Sequence, residues 1–264
     1  PFFFNFYSPP SLLAVNHPVT VEPMTNLSLL LKSKNNKENI YVLNIISEEK
    51  NESSKKNAEK LLHQAQNIGA AADVKIRPLT RYDVDVIKGV NNVIKEYEIT
   101  DLMIGVDPDK GFSQSFVYNL YSGYLENISA NMLVYHASQP VSTIQRYFVV
   151  FPEKAHLESG FFHSLLKVWN IARNSGSKIE FYGNEKTIKV IEKIRKKVNI
   201  DASFYIFNDW NEMKRIFEKM KENDALILFM ANREMVSFLP QMQEVPKYLN
   251  DHFRYRNYLL IFPS

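Results

Sequence analysis

Apolar residues in this chain occur either as short unbroken runs or as stripes spaced three and four apart, and the two kinds alternate from end to end. The run Ser11-Leu-Leu-Ala-Val-Asn-His-Pro18 predicts a short buried strand stopped by proline. Met24, Leu27, Leu30 and Leu31 then recur at helical spacing between Val19 and Lys32. After a polar turn at Asn35-Asn36-Lys37, Asn39 to Ile46 is rich in β-branched and aromatic residues and predicts a strand. Glu48 to Ile68 predicts an amphipathic helix with Ala58, Leu61, Leu62 and Ala65 on one face, and Asp73 to Arg77 a half-exposed strand. Asp83 is the expected cap of a helix carrying Val86, Ile87, Val90, Val93 and Ile94. Asp101 to Val106 is a continuous apolar strand, followed by a loop to Gln114, a helix to about Ile128 and a fifth strand at Asn131 to His136. Alternation of this kind predicts a parallel sheet with right-handed crossovers.

The cycle then restarts. Strands are expected at 146–151, 178–182, 202–207, 224–230 and 257–262. Between them, Phe161, Leu165, Val168, Trp169 and Ala172 form a helical stripe ended by Gly176. Further helices are expected at 185–197, from a cap at Asp209 to about Asn223, and at 236–252, the last interrupted by Pro240 and Pro246. Ile-Thr-Asp101-Leu-Met-Ile matches Glu-Asn-Asp224-Ala-Leu-Ile, Asn131-Met-Leu-Val-Tyr matches Asn257-Tyr-Leu-Leu-Ile, and Tyr82-Asp83 matches Asn208-Asp209. The offset is roughly 125–140 residues, the mark of an internal duplication. The expected fold is therefore α/β, with two tandem doubly wound five-stranded parallel sheets. The expected division is a linker at 1–10, a first domain at 11–140 and a second at 141–264, joined through Ser138-Gln-Pro-Val-Ser-Thr143.

Composition narrows the chemistry. With no cysteine among 264 residues, thiol nucleophiles, disulfides and cysteine–metal sites are excluded. A net charge of +3 is too small to imply nucleic acid, and no aromatic interleaving of basic residues supports it. No apolar run approaches the ~20 residues that span a bilayer. The aromatic opening Pro1-Phe-Phe-Phe-Asn-Phe-Tyr-Ser-Pro-Pro10 is not a signal peptide and reads either as a segment joined to something upstream or as an artificial addition. Eight glycines is a low count for a protein that cradles phosphate with backbone amides.

In a sheet of strand order 3-2-1-4-5, ligands bind beyond the carboxyl ends of the strands, at the reversal between the first and fourth. In the first half this crevice is expected between Asn16-His17-Pro18 and Gly105 to Gly111, so the candidate ligand residues are Asn16, His17, Gly105, Asp107, Asp109 and Gly111. Asp107 and Asp109 could bind a cation or amine, or cap the next helix. His17 could sense pH or serve the loop. The second-half walls are Pro152 to Lys154 and Ala231 to Glu234. His156 and His163 could share a helix face, but no acid stands at ligand spacing, so no metal site is expected. Gly111-Phe-Ser113-Gln-Ser115 falls one glycine short of a nucleophile elbow, and no catalytic residue is assigned. Lys186, Lys189, Lys193, Arg195, Lys196 and Lys197 form a basic helix, read as a solvated face with an anionic docking surface as the other reading.

The five-strand units resemble universal stress protein domains in tandem. More closely, five stretches resemble the cytosolic C-terminal region of bacterial sodium/proton antiporters of the monovalent cation:proton antiporter-2 type. They are Asn16-His-Pro-Val-Thr20 entering Leu27 to Lys32, Thr80-Arg-Tyr-Asp83, Glu98 to Gly105, Ser138 to Ile144, and Phe181-Tyr-Gly-Asn-Glu185. The resemblance runs from Ser11 to Ser264 and rests on many short matches. It implies strand order 3-2-1-4-5, pairing through the last strand, a membrane transporter half of the same polypeptide as partner, and a place on the cytoplasmic face of the inner membrane. Pairing within the tandem or as a homodimer stays open. Nucleotide-binding stress proteins carry an aspartate after strand one and a loop of Gly, two residues, Gly, nine residues, Gly and Ser or Thr after strand four. Here Asn16 replaces the aspartate, Gly105 matches the first glycine, and Pro108 and Tyr118 fall on the other two. No glycine occurs between Asp224 and Ser264. These losses count against ATP or AMP as a cofactor. The expected function is a non-enzymatic regulatory domain of a cation/proton antiporter, with a free-standing tandem stress protein binding a nucleotide or other small molecule as the alternative.

Overall fold

A computed structural model describes residues 10–33, 39–47, 52–195 and 200–264. The aromatic opening up to residue 9, the turn read at Asn35–Lys37, the start of the second helix at 48–51, and Lys196–Lys197 lie outside the described residues.

The first half runs β1 (Ser11–Ala14), α1 (Pro18–Leu31), β2 (Ile40–Ile46), α2 (Glu52–Ala71), β3 (Ile76–Tyr82), α3 (Val86–Glu96) and β4 (Asp101–Val106). A composite crossover follows: α4 (Gln114–Tyr118), a π-helical segment (Asn119–Tyr124) and α5 (Leu125–Asn127), leading to β5 (Asn131–His136). The second half runs β6 (Arg146–Val150), α6 (Phe161–Ser175), β7 (Lys178–Gly183), α7 (Glu185–Arg195), β8 (Ala202–Ile206), α8 (Met213–Phe217), β9 (Asp224–Phe229), α9 (Val245–His252) and β10 (Tyr258–Phe262).

Both halves adopt the order 3-2-1-4-5, and the two five-stranded sheets join edge to edge. One ten-stranded sheet results, in the order β3-β2-β1-β4-β5-β10-β9-β6-β7-β8. Every neighbouring pair is parallel except β5–β10, which runs antiparallel with Tyr258 opposite His136 and Phe262 opposite Met132. Pairing through the last strand is thus satisfied within the chain, and no edge is left open at the sheet's centre. An antiparallel pair of repeated strands has a local two-fold relation, and repeated residues use it. Asn131, the first residue of β5, accepts from the Ser264 N–H at 2.9 Å beyond β10. Its counterpart Asn257 accepts from the Ser138 and Gln139 N–H groups at 2.8 and 3.0 Å beyond β5.

Two apolar layers flank the sheet. Leu61 and Leu62 of α2, Met24 and Leu27 of α1, Phe161, Leu165 and Val168 of α6 and Ile188 of α7 fill one. Val90 and Val93 of α3, Leu120, Ile216 of α8 and Leu249 of α9 fill the other. The first layer also ties the halves together. Asn170 of α6 donates to the Leu31 carbonyl at 2.9 Å, and Asn174 donates to the Leu30 and Lys32 carbonyls at 2.8 Å each. These carbonyls end α1 and have no partner within the helix.

Local departures from expectation have local causes. The third strand spans Ile76–Tyr82 rather than Asp73–Arg77, because Pro78 sits in an edge strand where its missing N–H faces no neighbour. Asp85, not Asp83, caps α3, accepting from Ile87 N–H at 2.9 Å and Lys88 N–H at 3.1 Å, while Asp83 accepts from Asp85 N–H at 3.0 Å. Asp209 does cap, but the helix it opens is a single tight turn followed by α8, which ends at Phe217.

Candidate functional site

The strand order places a crevice of about 590 Å³ at the carboxyl ends of β1 and β4, under the start of α3. Its floor is Ala14, Val15, Ile104 and Gly105, and its walls include Val86, Phe116 and Tyr124. Among the lining residues, the side chains able to hydrogen-bond are those of Asn16, Asp85, Asn119 and Tyr124. Asp85 is engaged in capping α3, and burial together with the Asp85 charge raises the Tyr124 phenol above its ordinary value. Among the described residues, no lysine or arginine lines the crevice. Among the described residues a triphosphate would meet one carboxylate and no cation there, an unfavourable arrangement in a partly desolvated site.

The six candidate residues separate into three places. Asn16 and Gly105 line the crevice. Gly105 is required by close packing: a Cβ there would lie 2.7 Å from both Thr20 Cβ and Met24 Sδ of α1. His17 and Asp107 face each other, with Nε2 to Oδ2 at 3.9 Å, outside the crevice lining. The His17 Nδ1 is buried without a partner. Asp107 spends its other oxygen on a turn, accepting from Asp109 N–H at 2.9 Å and Lys110 N–H at 3.3 Å. Asp109 and Gly111 lie in a separate, small pocket of about 160 Å³ against α9.

The loop after β4 is therefore drawn away from the crevice and onto the other half. Asn250 of α9 accepts from the Phe112 N–H at 2.8 Å and donates to the Phe112 carbonyl at 2.9 Å. Arg254 donates to the Asp109 carbonyl at 3.2 Å. Gly111 adopts φ +60°, and a Cβ on it would fall 2.4 Å from Asn250 Oδ1. Glycine here serves both a left-handed turn and close approach of the partner half.

In the second half the corresponding crevice is filled. Trp210, just after the Asp209 cap, is buried and donates its indole N–H to the Phe151 carbonyl at 3.3 Å, at the exit of β6. In the first half the matching stretch presents Val84 and Val86, both exposed. Of the predicted second-half walls, Ala231 to Glu234 line a pocket shared with α4 and α5 of the first half.

A charged cluster not anticipated from the sequence lies at the opposite end of the first-half sheet. Asp101 opens β4 and is buried. It accepts from His163 Nε2 at 2.8 and 3.0 Å, from Lys167 Nζ at 2.8 Å, from Asn131 Nδ2 at 3.3 Å and from Thr100 Oγ1 at 3.1 Å. Burial alone would raise this carboxyl, but the Lys167 ammonium and the His163 bond outweigh it and hold Asp101 far below the usual carboxylate range. The repeat explains the arrangement. Asp224, the matching residue, stands opposite Arg146 in register and is bound by it at 2.6 and 3.1 Å, with Glu180 on the same guanidinium at 2.9 Å. Asp101 stands opposite Ser11, which offers no charge, so its cation comes from α6. His163 thus does have an acidic partner, 62 residues away in sequence. Among the described residues, no group of three or more His, Asp or Glu side chains is placed to hold a metal ion.

No family model matches the chain, and no curated protein matches it. Solved structures do. A universal stress protein from Archaeoglobus fulgidus DSM 4304 superposes with a TM-score of 0.62 at 14% identity, over 98% of this chain and 97% of that one. The cytoplasmic domain of a prokaryotic cation chloride cotransporter gives 0.59 at 9% identity, over 97% and 95%. A protein of unknown function from Pseudomonas aeruginosa PAO1 gives 0.62 at 11% identity, over 96% and 92%. The fold is that of tandem universal stress proteins, and it occurs in a transporter's cytoplasmic domain as well as in stress proteins.

Proposed function

We propose that this chain is a non-enzymatic regulatory region, of two units at 11–140 and 141–264, that acts on the cytoplasmic face of a membrane cation/proton antiporter belonging to the same polypeptide. The observation that carries the reading is the fate of the loop after β4. In a nucleotide-binding stress protein this loop offers glycine amides to phosphate. Here Pro108 has no N–H, Tyr118 replaces the last glycine, and Asn250 fastens Phe112 to the second half. A loop used as an internal strap is suited to coupling the halves and unsuited to wrapping phosphate. The fold shared with a cotransporter's cytoplasmic domain supports the transporter context. The short matches to antiporter tails, from Asn16 to Glu185, support the antiporter over other transporters. Among the described residues no helix is long and apolar enough to cross a membrane, so the spans would lie elsewhere in the polypeptide.

The test is transport by the full-length gene product in everted membrane vesicles, with and without residues 11–264. Sodium-driven proton movement should survive the deletion while its dependence on pH or ion concentration shifts. A coding sequence that starts at or just before Ser11, with no apolar spans upstream, would overturn the reading.

The open crevice at β1 and β4 favours a second reading, a free-standing stress protein that binds a nucleotide or another small molecule through Asn16 and Gly105. Calorimetry with ATP and AMP separates the two. Saturable heat that is lost in a crevice-filling Val86→Trp variant, at an exposed position of the lining, supports the second reading, and its absence at millimolar nucleotide supports the first.

A further inference from the structure

The antiparallel β5–β10 seam creates two related places where the loop leaving a fourth strand meets the last crossover of the other half. At one, the loop after β4 meets α9, and Asn250 and Arg254 staple it down, leaving about 160 Å³. At the other, the loop after β9 meets α4, the π-helical segment and α5, and about 500 Å³ remains open. Equivalent surfaces have been closed in one case and kept open in the other.

The open pocket is braced on both walls. On the second-half side, Ser237 N–H donates to Glu158 Oε1 at 2.8 Å, and Gln243, with its amide assigned so that the oxygen faces Arg233, accepts from Arg233 Nε at 2.8 Å and Nη2 at 2.6 Å. On the first-half side, Tyr121 donates its hydroxyl to the Met242 carbonyl at 3.3 Å and sets its ring edge-on to Phe262. The wall there is the π-helical segment, Asn119–Tyr124, a conformation that recurs at ligand sites because it turns side chains out of helical register.

The lining combines three features. Leu125 and Phe238 give it an apolar face, Arg233 offers a guanidinium oriented by Gln243, and Glu126 and Glu234 place carboxylates on the rim. Among the described residues no ion pair joins Arg233 to either glutamate, although all three share one pocket. Opposite charges held apart around an apolar wall suit a ligand that carries both signs. We propose that this seam pocket binds a small zwitterion of the amino-acid type, its carboxylate on Arg233, its ammonium toward Glu126 and Glu234, and an apolar side chain against Leu125 and Phe238. The proposal stands apart from the transporter reading, because it concerns a different face from the β1–β4 crevice and holds for a free-standing protein equally.

Thermal shift and calorimetry on the full chain test it, with L-leucine and L-phenylalanine as probes and two analogues that each lack one charge, leucinamide and isocaproate. A saturable response to at least one amino acid is expected, with a melting-temperature rise of about 5 °C at roughly a hundredfold excess over Kd. Both analogues should bind at least about tenfold more weakly, because each gives up one of the two charge-assisted contacts. Arg233→Gln should weaken binding about tenfold or more, and Ser122→Trp, which fills the pocket from an exposed position, should abolish it. No saturable response to either amino acid at ~10 mM, a response equal for the one-charge analogues, or one unchanged in both variants overturns the proposal. The analogue comparison is made on the unaltered protein and stays decisive if a variant folds poorly.

Discussion

Replacing Lys167 by methionine tests the electrostatic joint between the halves directly. The Lys167 ammonium lies 2.8 Å from Asp101 Oδ2, and the two side chains are 4% and 1% exposed. Methionine keeps most of the apolar stem, so packing of α6 changes little. What remains is a buried carboxylate with His163, Asn131 and Thr100 as donors but without its ammonium. Breaking a buried pair from one side costs ~3–5 kcal/mol, because the surviving charge keeps its desolvation penalty. Three surviving donors put this case at the lower end, about 3 kcal/mol. At about 2–4 °C per kcal/mol for a chain of this size, the melting temperature should fall by roughly 6–12 °C. Urea unfolding read by tryptophan fluorescence is the assay, since Trp169 is buried on the same helix. The paired variant Asp101→Asn, Lys167→Met removes both charges and should recover at least half of the loss, as neutral replacements of buried pairs commonly do. A single-variant loss below about 1 kcal/mol, or a double variant no more stable than Lys167→Met, would refute the reasoning.

Other expectations follow from the same contacts. Because the folded-state value of Asp101 is depressed, the stability it contributes is complete above its ordinary value of 3.8 and drains away as pH falls below that. The urea midpoint should therefore drop more steeply below about pH 4 in the native chain than in Asp101→Asn, and parallel profiles would rule this out. Gly111→Ala forces a Cβ onto a left-handed backbone and against Asn250, so it should cost about 1–3 kcal/mol by denaturant melts. It should also raise amide exchange at Phe112, whose N–H bonds to Asn250. Trp210→Ala should lower stability by about 3–5 kcal/mol and open a second-half crevice that a hydrophobic dye detects, and unchanged dye binding would contradict the plugging role.

Much of the architecture could be read from local pattern. The strands at Asp101–Val106 and Asn131–His136 coincide with their apolar runs, since a strand buried on both faces leaves an uninterrupted signature. The duplication also showed, because Asp101 and Asp224 open equivalent strands and Asn131 and Asn257 stand at equivalent ends of the seam. Weakly patterned segments were harder. The strand through Pro78 and the broken crossover from Gln114 to Asn127 have no clean period, and their limits depend on edge position and on packing against α3. At the site, Asn16 and Gly105 do line the crevice, whereas Asp107, Asp109 and Gly111 were expected there and serve a turn and a strap. The residue that diverts them, Asn250, lies 138 positions from Phe112 and carries no local signal.

The resemblance to universal stress proteins implies the strand order and the loss of the amides that would hold phosphate, while the two five-stranded units follow from periodicity and repetition. Those are properties of neighbouring residues, and neighbours in sequence are sufficient to specify them. Three other features took shape only when the halves met: the single ten-stranded sheet, the Asp101–Lys167 pair and the contrast between a stapled and an open seam pocket. Each depends on the antiparallel register of β5 against β10, which sets side chains more than a hundred residues apart, or on helices of opposite halves, into contact. No local pattern encodes that register. It is set by the shape of two complete surfaces, and it determines which of the repeated residues close the protein and which remain free to bind.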